Sequence, residues 1–83
     1  MAVLDMQELK AIIEIALDRE LLSLAPNVHL YEELGMDSIG AVAMIVEIQR
    51  RCRVRIDEKD IPDLTTPQSL LDYVNRIEES APT

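Results

Sequence analysis

Three apolar stripes at helical spacing, each confined to its own stretch of an 83-residue chain, leave few folds open. The first runs through Leu9, Ile12, Ile13, Ala16 and Leu17, with Leu21 continuing it. The second holds Ile39, Val42, Ile45, Val46, Ile48 and Cys52, and the third Leu70, Leu71, Val74 and Ile77. Apolar residues three and four apart share one helix face and must be buried together. The spacing predicts helices from about Asp5 to Leu22, from Ser38 to about Arg51, and from Pro67 onward. Asp5 with Glu8 forms a capping-box-like start, Asp37 or Ser38 offers an oxygen to the second helix, and Thr66 followed by Pro67 opens the last. Residues 57–61 have room for one short helical turn, stopped by Pro62. Between the first two helices, Ser23 to Asp37 carries no helical period, holds Pro26, Asn27 and Gly35, and is expected to pack Val28, Leu30, Tyr31 and Leu34 back over the core. The fold expected is all-α: a small bundle of three main helices and one short one, with a long first loop, in a single domain spanning 1–83 with a core of about 5–79.

Composition narrows the function classes. Aromatics are limited to Tyr31 and Tyr73, so the core must be aliphatic, and 48% apolar residues are too many for a disordered chain. The chain is too short for a TIM barrel or a Rossmann domain. Eight basic against sixteen acidic residues give a net charge of −8, which repels nucleic-acid phosphates and anionic lipid, so neither is an expected partner. One cysteine, no run of 18 apolar residues, and an N-terminus without a signal peptide's basic start lead to the expectation of a cytoplasmic, soluble monomer.

Chemistry concentrates at Gly35-Met36-Asp37-Ser38-Ile39, where a glycine-containing loop runs into a helix that opens with serine. Asp and Ser are ordinary helix caps, and capping alone accounts for many such pairs. A hydroxyl at a helix N-terminus is also well placed for a covalent phosphate, because the first amides and the positive dipole end favour an anion. A serine nucleophile fares worse: His29 is the only histidine, and no Gly-x-Ser-x-Gly elbow is present. Asp57, Glu58, Asp60 and Asp63 lack the spacing and glycine of a calcium loop, so no metal site is expected. Cys52, in the apolar phase of the second helix, reads as a buried small hydrophobe.

The run ELGMDSIGAVAMIVEIQRR, followed by VRID and LTTPQSLLDYV, resembles the acyl carrier proteins and the related peptidyl carrier domains. The shared elements are Leu34-Gly35, Asp37-Ser38-Ile39 and Thr65-Thr66, with family-like spacing from the serine to the last helix. The resemblance implies an acyl-carrier-like four-helix bundle. It further implies that Ser38 is esterified by 4′-phosphopantetheine, delivered from coenzyme A by a phosphopantetheinyl transferase that Asp37 helps to contact. Such a protein is not an enzyme. It holds acyl or aminoacyl groups as thioesters and presents them to a loading ligase, ketosynthase, acyltransferase or condensation enzyme. The tether raises the cargo's effective concentration at each active site.

One departure bears on the pathway. Carriers of fatty-acid synthesis dock through a strongly acidic second helix, whereas here Glu47 is the only acid of that helix and Arg50 and Arg51 close it. The docking surface expected comprises Met36, Ile39, Gly40, Ala43, Met44, Glu47, Arg50 and Arg51. Gly40 costs about 1 kcal/mol in a helix relative to Ala, and its missing side chain is expected to let a partner or the arm approach. The function expected is a discrete carrier of polyketide, nonribosomal peptide or lipid-modified secondary metabolism. The alternatives are a carrier of primary fatty-acid synthesis and an unmodified helical interaction module.

Overall fold

A computed structural model describes the backbone of residues 4–80 and the side chains of 4–77. It contains helices α1 (Met6–Leu17), α2 (Ser38–Cys52) and α3 (Pro67–Ser80), with a short 3₁₀ helix at Glu58–Asp63 between the last two. No strand occurs among the described residues, and the all-α bundle with one short helix is as the sequence predicts.

α1 begins where Asp5 accepts a 2.7 Å bond from the Glu8 N–H. The reciprocal half of the capping box does not form, because the Glu8 carboxylate turns to Arg51 at 3.3 Å. The helix also ends five residues before the expected Leu22. Asp18 takes a left-handed conformation (φ 55°), and the Arg19 N–H closes back onto the Glu14 carbonyl at 3.1 Å. Asp tolerates this region better than most side chains, so a helix end forms without glycine. Leu21 therefore leaves the stripe, and its N–H is taken by the Glu14 carboxylate at 2.8 Å. That bond, more than the neighbouring Lys10, holds the Glu14 carboxyl below the usual carboxylate range.

The long loop packs back as expected: Leu30 is fully buried, and its N–H reaches the Thr65 carbonyl at 2.8 Å. A second bond, from the Gln68 N–H to the Pro26 carbonyl at 2.9 Å, ties the loop to the start of α3. There Thr66 and Ser69 cap reciprocally: the Ser69 N–H donates to Thr66 Oγ1 and the Thr66 N–H to Ser69 Oγ, both at 3.1 Å. The core is aliphatic throughout, built from Leu9, Ile12 and Ile13 of α1, Met44, Ile45, Ile48 and Cys52 of α2, and Leu70, Leu71 and Val74 of α3.

Pro62 lies inside the 3₁₀ helix and does not stop it at Ile61. Proline's fixed φ near −65° falls within the 3₁₀ range, so the ring costs the segment one donor and no strain. The helix buries none of its residues and is held from α3 by Tyr73. The phenol donates to Asp60 Oδ2 at 2.7 Å and accepts from the Asp57 N–H at 3.2 Å. Tyr73→Phe should cost about 1 kcal/mol and speed amide exchange at residues 57–63 while leaving α1 unchanged. Unaltered exchange at those amides would show that apolar packing alone holds the segment.

Candidate functional site

Gly35 sets the approach to the candidate serine. Its φ of 74° is left-handed, which glycine adopts without strain, and it turns the chain towards Met36 and the extended Asp37. Met36 anchors the turn: its side chain is buried, and its N–H bonds the Leu30 carbonyl at 3.0 Å. Asp37 is then the N-cap of α2, accepting the Gly40 N–H at 2.7 Å. Ser38 is the first helical residue and not the cap. It is exposed, and its hydroxyl makes no hydrogen bond among the described residues. The first amides of α2 have no intrahelical carbonyl to bond, so an anion on the Ser38 oxygen would meet N–H donors and the positive end of the helix.

A groove of about 1040 Å³ runs from Ser38 along α2. One wall is the α2 face with Val42, Ile45, Val46 and Gln49; the other is Ile56, Asp57, Glu58 and Ile61, with Tyr31 also on the lining. Its volume is at the upper end of small-molecule sites, whose apolar linings with a few polar groups it matches. An exposed hydroxyl at the groove's edge, amides free to face an anion, and an apolar trough beside them fit a covalent phosphate ester bearing a long arm.

The expected docking residues separate into two groups. Ile39 (79% exposed) and Ala43 face solvent, as do Arg50 and, in part, Glu47 and Arg51. Met36, Gly40 and Met44 are buried and present no docking surface, which corrects the sequence expectation for all three. Met44 belongs to a series at four-residue spacing, Gly40-Met44-Ile48-Cys52, whose every member faces the core. Gly40 faces α1: a Cβ there would lie 3.2 Å from the Ala16 carbonyl oxygen and 3.2 Å from Asp37 Oδ1. Its missing side chain serves contact between α1 and α2, not the approach of a partner. In exchange, Val42 (63% exposed) and Val46 (54%), which the sequence placed on the core face, line the groove and the surface beside Ser38.

The charge at the far end of α2 is gathered on Glu47. Its carboxylate accepts from Arg50 at 2.5 Å and from Arg51 at 2.6 Å, and Arg51 also reaches Glu8 at 3.3 Å. The hydrogen bonds from Arg50 and Arg51 lower the Glu47 carboxyl from 4.5 to about 2. A carboxyl depressed on folding contributes stability above its unfolded value, and here that contribution disappears as pH falls from 4.5 towards 2. A ¹³C titration of the Glu47 carboxyl should therefore give a midpoint near 2. A midpoint above 4 would show that neither arginine holds it in solution.

Several other titratable groups are used within the fold. The His29 ring accepts the Glu32 N–H at 3.1 Å and pairs with the Glu32 carboxylate at 3.2 Å, with no bond to Ser38 among the described residues. Asp57 accepts the Lys59 N–H at 3.1 Å, and Asp60 holds Tyr73. Among the described residues no three such side chains converge on a point where a metal ion would sit. Cys52 is buried, in keeping with its expected packing role.

A helical bundle presenting one exposed serine at a helix start beside a trough has the build of a tethering protein. The sequence family described as "Phosphopantetheine attachment site" matches residues 7–74. The anthracycline acyl carrier proteins of Streptomyces sp. (strain C5) and Streptomyces peucetius are each 32% identical over 77 residues, covering 90% of this chain and 92% of theirs. An acyl carrier protein of Onion yellows phytoplasma (strain OY-M) is 21% identical over 70 residues, covering 84% of this chain and 92% of its own. In fold, the chain matches the solution structure of oxytetracycline acyl carrier protein with a TM-score of 0.82 at 22% identity, over 100% of this chain and 92% of that one. The chain belongs to the acyl carrier family, whose members hold their cargo on phosphopantetheine. These proteins are carriers and not catalysts. No helix among the described residues is long and apolar enough to cross a membrane.

Proposed function

We propose that Ser38 bears the phosphopantetheine arm and that the protein carries acyl intermediates of a polyketide pathway, as the names of its anthracycline relatives suggest. The observation that carries this reading is the Ser38 hydroxyl itself, exposed and unbonded at the mouth of an apolar groove. When bound, the arm supplies the thiol on which an acyl group is held as a thioester. Asp37 fixes the first turn of α2, Gly35 and Met36 set its direction, and the α2 wall offers a surface along which the cargo can lie. A phosphopantetheinyl transferase is the first partner, with a ketosynthase and an acyltransferase as the users of the loaded form.

Partner choice follows from the surface beside Ser38. Ile39, Val42 and Val46 are exposed apolar residues, Ala43 sits among them, and the single acid of α2 is already engaged by two arginines. A basic patch of the kind that reads acidic carriers would find no attractive charge here and would meet Arg50 at the helix end. Ala43→Glu with Arg50→Glu, which leaves the Arg51 pairing to Glu8 and Glu47 in place, should raise turnover by a fatty-acid ketosynthase about tenfold at low salt. It should weaken turnover by a polyketide ketosynthase, and the gain should fade towards 1 M salt, where the Debye length is about 3 Å. Equal service of both enzymes by the wild type at low salt would return the carrier to fatty-acid synthesis.

A further inference from the structure

Ser38, Val42, Ile45 and Gln49 all line the groove, and their spacing of four, three and four residues puts them on one stripe of α2. The stripe is about 16 Å long, from the attachment point at one end to Gln49 at the other. Its middle is apolar and its far end is not. The Gln49 amide oxygen is committed: it accepts the Ile56 N–H at 2.8 Å. An N–H donor requires the oxygen there, so the orientation of the amide is fixed, and its NH₂ group is left for the groove that the residue lines. Arg55, an exposed side chain next to Ile56, also lines the groove and forms no ion pair among the described residues, although Asp57 and Glu58 follow it on the same wall.

Building on the carrier reading above, we propose that Gln49 and Arg55 read a neutral carbonyl oxygen on the far part of the acyl chain. A plain alkyl chain that reached this end would cover the Gln49 NH₂ and the guanidinium without giving them an acceptor, which disfavours it. A ketone oxygen satisfies both donors. A free carboxylate meets Arg55 but also the carboxylates of Asp57 and Glu58, so a neutral oxygen is the better match. The groove thus selects oxygenated chains over saturated ones of equal length, and these two residues determine the preference.

The test loads ¹⁵N-labelled protein from either octanoyl-coenzyme A or the coenzyme A thioester of the same chain bearing one ketone next to its end, using a promiscuous transferase that moves the acyl phosphopantetheinyl group to Ser38 and releases 3′,5′-ADP. Intact mass verifies each loading. Both chains should shift the Val42 and Ile45 amides, whereas only the ketone should move the Gln49 side-chain NH₂ and the Arg55 Nε–H signals. Hydroxylamine should cleave the keto thioester about two- to tenfold more slowly than the alkyl one, the range expected of one or two neutral hydrogen bonds. Gln49→Glu keeps the acceptor for Ile56 and removes the donors; Arg55→Met keeps the apolar stem and leaves the Gln49 bond intact. Each should bring the two rates together. Identical Gln49 and Arg55 signals for both chains would overturn the inference, as would unshifted Val42 and Ile45, and either result leaves the carrier reading standing if the mass shows one arm. Failure to load at all would remove both.

Discussion

Ser38→Ala should abolish transfer of phosphopantetheine from coenzyme A while leaving the bundle as stable as the wild type. The cap of α2 is the Asp37 carboxylate at 2.7 Å from the Gly40 N–H, so the serine oxygen contributes nothing to helix initiation. Alanine at the first helical position loses no hydrogen bond and is an excellent helix former, which keeps the change within about 0.5 kcal/mol. Asp37→Ala is the contrasting variant. It should lower stability by about 1 kcal/mol, or roughly 4–8 °C in Tm for a domain of this size. Thermal unfolding monitored by circular dichroism separates the two. A large Tm loss in Ser38→Ala would mean that the hydroxyl caps the helix after all.

Gly40→Leu should damage the fold more than any surface change. A Cβ at this position already stands 3.2 Å from the Ala16 carbonyl oxygen and 3.4 Å from Met36 Cγ, and the first of these is backbone that cannot rotate away. A leucine needs three more carbons where α1 and α2 touch, so α2 must move outward and disturb the Met36 anchor that aims Ser38. Overpacking of this kind costs about 1–3 kcal/mol, only partly offset by leucine's better helix propensity. The expected Tm loss is roughly 5–20 °C. Gly40→Ala, in which propensity gain and crowding oppose each other, should stay close to the wild type. A Gly40→Leu protein of wild-type Tm would place the α1–α2 contact elsewhere.

What the sequence made legible is what is local or periodic. The cap at Asp5, the Thr66-Pro67 start of α3 and the Asp37-Ser38 junction rest on residues within a turn of one another, and the aliphatic core on the three periodic stripes and the scarcity of aromatics. The end of α1 was not legible, because Asp18 adopts a left-handed conformation that glycine usually signals, and Glu14 reaches across to a loop amide at Leu21. The role of Gly40 depends on Ala16, distant in sequence and adjacent only once the helices pack. The buried face of α2 is ambiguous in the sequence for a different reason: its apolar residues cover a wider arc than the core needs. Ile39, Val42 and Val46 form the outer edge of that arc, and the four-residue series through Met44 was the available sign of the buried phase. The groove could not be read at all, since α2 and the segment after it form its two walls only through tertiary contacts such as the bond from the Ile56 N–H to Gln49.

The central claim is that one arm is attached, at Ser38. The most direct measurement is intact mass of the wild-type protein after incubation with coenzyme A and a promiscuous phosphopantetheinyl transferase, followed by fragmentation to locate the adduct. The structure predicts complete conversion to a species heavier by a single phosphopantetheinyl group, on the peptide containing Asp37-Ser38-Ile39. An unchanged mass beside a fully modified control carrier, or an adduct on Ser23 or Ser69, would contradict it.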